Sequence, residues 1–125
     1  MVNLMPQEIE VWFLLPSIRR ELAIFLTKKH AMTQFEVSKL IGITAAAVSQ
    51  YISKKRGTDM KFTLDELCVI EEGSNMIVKD KSNAHAIIYN ISQKLKGGKS
   101  MCDLHMQHSK DIPTDCRLCC QTPQK

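Results

Sequence analysis

The stretch TQFEVSKLIGITAAAVSQYISKKRG, residues 33–57, constrains this chain more than any other, because consecutive residues encode two short helices and the sharp turn between them. Thr33 and Glu36 stand at T-x-x-E spacing. In such a capping box each side chain takes up a backbone N–H that a helix start leaves unpaired, so a helix is expected from Gln34. Gly42 supplies the left-handed residue that ends it at Ile41. Thr44 then caps a second helix, from Ala45 to about Lys54, and Gly57 closes it. Val37, Leu40, Ile43, Val48 and Ile52 are the apolar positions two crossing helices would bury, with Ser38 as the small residue at their closest approach.

This arrangement leaves Thr44, Ala45, Ala46, Ser49, Gln50 and Ser53 on the outer face of the second helix. Small side chains let a helix sink into a major groove, glutamine can pair with adenine, and alanine can touch a thymine methyl. Gln34, Lys39, Lys54, Lys55 and Arg56, with the amides at the helix N-termini, are the candidates for holding phosphates. Charge agrees with a polyanionic partner: residues 1–57 hold eight Lys and Arg against four acids, while the remainder holds nine of each. A plain helical hairpin with a solvated KKR run requires no such agreement of capping box, glycine turn and polar outer face.

The residues Gln34, Ser38, Gly42, Val48, Ser49, Gln50 and Tyr51 resemble, in type and spacing, the helix-turn-helix of lambda-repressor-like (Cro/phage-repressor) regulators. Where that family usually has alanine, this chain has Ser38, which is also small. The LPSIRRELA opening, taken with a cysteine-rich tail, is similar to small archaeal transcriptional regulators of that class. The resemblance implies an all-α domain of five to six helices that reads operator DNA with its third helix. Because one short recognition helix reads only a few base pairs, a homodimer on double-stranded DNA is expected.

The rest of the chain is expected to be helical as well. Pro6 opens a short helix over QEIEVWFLL with Ile9, Trp12 and Phe13 on one side, and Pro16 is expected to end it. SIRRELAIFLTKKH follows, with Ile18, Leu22, Phe25 and Leu26 at helical spacing and Lys28 and Lys29 complementing the dipole at its end. Thr63 and Glu66 repeat the capping box before LDELCVIEE, where Leu64, Leu67, Cys68 and Glu71 follow helical steps. Gly73 either ends that helix or is tolerated within it. Asn83 is expected to cap AHAIIYNISQKLK, whose Ile87, Ile88, Ile91 and Leu95 form an apolar stripe that, with the tail, is offered as a dimer surface. His85, in the same helix, is expected to be a surface or core residue. No stretch alternates with period two for long, so no strand is expected. The domain is therefore assigned to residues 1–98 and a Cys/His-rich tail to residues 99–125.

That tail, MCDLHMQHSKDIPTDCRLCC, sets Cys102 and His105 three apart and Cys116 and Cys119 three apart. Paired knuckles of this kind present four ligands tetrahedrally, and Cys3His is a structural zinc set. Cys120 leaves an iron–sulphur cluster open, on Cys102, Cys116, Cys119 and Cys120, with His105 or His108 as replacement ligands. The resemblance to cysteine-tailed regulators implies a metal or cluster without choosing between them. The tail is too poor in apolar residues to fold unaided, which suits a metal staple. Occupancy of this site is expected to order the tail and switch DNA affinity.

An enzyme is not expected, since four protein ligands leave a zinc no open position and no acid or base stands at suggestive spacing. A zinc-knuckle adaptor that binds proteins without sequence-specific DNA binding is the alternative function. No apolar run of about 18 residues exists, so no membrane span is expected. The nearest run, VWFLLP, follows Glu8 and Glu10 and has the wrong length and flank for a signal peptide. A cytoplasmic location follows, in which the five cysteines stay reduced and the isolated Cys68 belongs to the core.

Overall fold

A computed structural model describes residues 5–53, 61–96 and 98. Among them the chain is all-α, with five helices and no strand. Helix α1 runs unbroken over residues 6–29, as α-helix over Pro6–Ile9 and Leu15–Ile24 and as wider π-helix over Glu10–Leu14 and Phe25–Lys29. Helices α2 (Gln34–Ile41), α3 (Ala45–Ile52), α4 (Leu64–Lys79) and α5 (Ala84–Leu95) follow, with a 3-10 turn, Lys81–Asn83, before the last.

The expected stop at Pro16 does not occur. Proline lacks an N–H and its ring collides with the carbonyl four residues back, which normally breaks a helix. Here the preceding turn is widened, with the Leu15 N–H donating to the carbonyl of Glu10 five residues back. A π-turn placed ahead of the ring lets the helix continue through the proline.

The Leu15–Ile24 segment of α1 lies at the centre of the bundle and packs on each of the other four helices. Ile18, Leu22 and Leu26, at four-residue steps, are fully buried, and so are Val37 of α2, Val48 of α3, and Ile70 and Ile77 of α4. The expected stripe on α1 is thus largely present, with Phe25 only partly buried at its edge. In the first turns Ile9 is buried as expected, but Leu14 is buried too and Trp12 is 55% exposed. Ser17 is also buried, and its Oγ has no hydrogen-bond partner, unlike Ser38, Ser74 and Ser92, which donate to the carbonyls three residues back.

Gly73 lies inside α4, which settles the open choice at that position. A Cβ there would collide with the side chain of Ile91, so the glycine sets the close approach of α4 and α5. Three expectations are corrected in this half of the chain. Cys68 is exposed, not core, because α4 turns Ile70, Gly73, Ser74 and Ile77 inward instead. Asn83 makes no side-chain cap, since the 3-10 turn leads directly into α5. The stripe of Ile87, Ile88, Ile91 and Leu95 is buried within the bundle and is not available as a dimer surface. His85 is exposed.

The C-terminus of α1 is tied to α4 by Lys29 Nζ to Glu71 Oε2 at 2.6 Å and by His30 Nε2 with Asn75 Oδ1 at 3.0 Å. The chain then reverses through Ala31, whose φ of +56° places an exposed L-residue in left-handed backbone. Such a conformation costs a non-glycine residue about 1 kcal/mol or more. Ala31→Gly is therefore expected to stabilise the protein by roughly 0.5–1 kcal/mol, after the extra freedom of the unfolded chain is set against it. A thermal midpoint that falls instead would show that the Ala31 methyl holds the reversal through packing.

Candidate nucleic-acid interface

The α2–α3 pair is built by the local chemistry read from its residues. Thr33 Oγ1 accepts the Glu36 N–H at 3.1 Å, and Glu36 Oε1 accepts the Thr33 N–H at 2.9 Å, which completes the capping box. That Thr33 N–H, helped by the hydroxyl and by nearby Lys81, holds the Glu36 carboxyl below its ordinary value. Gly42 ends α2 at φ +84°, and its N–H donates to the Ser38 carbonyl at 2.9 Å. A Cβ there would meet nothing within 4 Å, so the left-handed backbone rather than lack of space calls for glycine. Thr44 Oγ1 accepts the Ala47 N–H at 3.0 Å and starts α3.

Helix α3 is divided cleanly into two faces. Ala47, Val48 and Tyr51 are buried against α1 and α2, while Thr44, Ala45, Ala46, Ser49, Gln50 and Ser53 are all exposed. The exposed set follows helical steps and forms one contiguous surface without a charged side chain. With the Ala47 amide taken by Thr44, Ala45 and Ala46 carry the other amides of this first turn. Gln34 is exposed at the first position of α2, and Lys39 is exposed one turn beyond Phe35. The helix is defined to Ile52, and Lys54, Lys55, Arg56 and Gly57 lie outside the described residues.

Of the apolar positions expected in the pair, Val37 and Val48 are fully buried, while Leu40, Ile43 and Ile52 are only partly so. Ile41, Ala47 and Tyr51 are buried as well and are not among the apolar positions expected from the sequence. For Tyr51 the signal was its spacing, three residues after Val48 and four after Ala47. Phe35 was missed altogether: it is 62% exposed on α2, with Lys39 Nζ 4.7 Å from its ring centroid. Its place off the Val37 and Ile41 stripe was the available clue.

The ligand candidates Cys102, His105, Cys116, Cys119 and Cys120, and His108 with them, lie outside the described residues. Among the described residues no three His, Cys, Asp or Glu side chains gather where they could hold a metal ion. No helix among them is long and apolar enough to cross a membrane. No protein-family model, curated protein or solved structure matches the chain.

Proposed function

We propose that this chain is a sequence-specific DNA-binding transcriptional regulator that acts as a cytoplasmic homodimer of the lambda-repressor-like helix-turn-helix type. The observation that carries the reading is the division of α3, which buries Ala47, Val48 and Tyr51 and presents Thr44, Ala45, Ala46, Ser49, Gln50 and Ser53 together. A face of small uncharged residues with one amide side chain admits a helix to the major groove and leaves Gln50 to read adenine. Gln34, Lys39, Lys54, Lys55 and Arg56 hold phosphates, which position the reader without specifying sequence.

Selection from a random duplex pool tests this directly. An inverted repeat with half-sites about one helical turn apart should be enriched, and affinity for it should fall steeply as salt rises. A pool that stays random, with binding insensitive to salt, would leave the protein-binding adaptor as the better account.

The tail residues supply the donor chemistry for a metal. Cys102, His105, Cys116 and Cys119 make a Cys3His zinc set, and Cys102, Cys116, Cys119 and Cys120 make a four-thiolate cluster set. Anaerobically purified protein is expected to carry either about one zinc per chain or iron with inorganic sulphide. Protein free of both metals, with all tail thiols titrating freely, would remove the site. Its proposed use is as a switch, so chelation that leaves DNA affinity unchanged would reduce it to a structural staple.

A further inference from the structure

Helices α4 and α5 leave a groove of about 290 Å³ on the surface, lined by Val69, Gly73 and Met76 on one side and Ile87, Ile91 and Lys94 on the other. Gly73 forms part of its floor, where a Cβ would collide with Ile91. Met76 stands 53% exposed along it. The volume lies just below the range of about 300–1,000 Å³ typical of small-molecule sites, which suits a few side chains better than a cofactor.

The last described residue of the chain lies close to the head of the α4 stripe that lines this groove. Glu66, Val69, Gly73 and Met76 follow one another at three- and four-residue steps, so they form one stripe along α4. Gly98 turns back after α5, its N–H donating to the Leu95 carbonyl at 3.0 Å. A Cβ on Gly98 would lie 2.7 Å from the Glu66 carboxylate. Gly98, the last described residue, therefore lies at the head of the stripe whose later members line the groove.

We propose that residues 101–106 of this same chain, MCDLHM, dock in the α4–α5 groove, with Met101, Leu104 and Met106 supplying the apolar cover. The reach is sufficient: Glu66 to Met76 spans about 15 Å of helix, and six extended residues span about 20 Å. Unbranched methionine fits irregular apolar gaps. The charges also match, since Lys94 and Glu72 border the groove while the segment carries Asp103 and is followed by Lys110. Docking sets Cys102 and His105 against the helical body, whatever they bind, and rests on neither the DNA reading nor a metal.

The test replaces Met76 by photo-reactive benzoylphenylalanine in the full chain, irradiates it, and maps the products after trypsin. The expected product is an intrachain link to the peptide of residues 100–110, with a yield independent of protein concentration. Links to a second copy that grow with concentration would overturn the proposal in favour of self-association. A yield no higher than from the same probe at exposed Lys28 would overturn it outright. In chain carrying Met76 unchanged, Leu104→Asp should speed amide exchange over residues 101–106 by about tenfold while helical circular dichroism holds. Exchange equal in the two chains would also defeat the proposal.

Discussion

Leu22→Ala is expected to cost about 3 kcal/mol of stability, within the roughly 2–5 kcal/mol seen when a buried leucine is cut back and its site cannot collapse. Leu22 is fully buried in the α1 segment that packs on every other helix, so the cavity opens in the central segment of the bundle. That loss is a large part of the total of about 5–15 kcal/mol a small domain possesses. Denaturant midpoints, with the slope unchanged, measure it. Leu64→Ala provides the comparison: Leu64 is 81% exposed, and its removal should change stability by no more than about 0.5 kcal/mol. Equal effects at the two positions would mean that α1 is not the centre of the core.

Gln50→Ala has the largest expected effect on the proposed activity that leaves the fold intact. The side chain is exposed on α3 and makes no contribution to the core, so circular dichroism and the thermal midpoint should not move. Affinity for the selected duplex should fall by about 1–3 kcal/mol, roughly 5- to 150-fold, with the loss confined to one base position in each half-site. Affinity for random duplex should stay the same. A drop of equal size on both would place Gln50 on phosphate instead of on a base.

Much of the α2–α3 pair was legible because its signals are local. A capping box needs only Thr33 and Glu36 three residues apart, and both boxes form where the spacing puts them. Gly42 is legible because the left-handed conformation it adopts is costly for other residues. The exposed face of α3 follows from helical periodicity once Val48 is known to point inward.

The misreadings share a different cause. A proline stops a helix when the spacing is regularly α-helical, and the π-turn over Glu10–Leu14 does not keep that spacing at Pro16. The same extra residue in the turn shifts the register, so that Leu14 is buried and Trp12 is exposed. The helical pattern around Cys68 suggests a core residue without saying which side of the helix faces the bundle. Whether it is buried depends on which side of α4 meets α1 and α5, and that side carries Ile70, Gly73, Ser74 and Ile77. Gly73 was ambiguous because the reason it is tolerated, the nearness of Ile91, is eighteen residues away in sequence.

By itself, then, the sequence determined that the described residues are helical, where α2 through α5 begin, and which residues α3 leaves exposed. These depend on hydrogen bonds and periodicities within a few residues of one another. Only the tertiary structure decided that α1 passes through Pro16 to become the central helix, that the isoleucines of α5 are core, and that a groove lies beside Gly73 between α4 and α5. Those outcomes are set by how helices distant in sequence cross and fill space, and no single stretch of the chain contains that information.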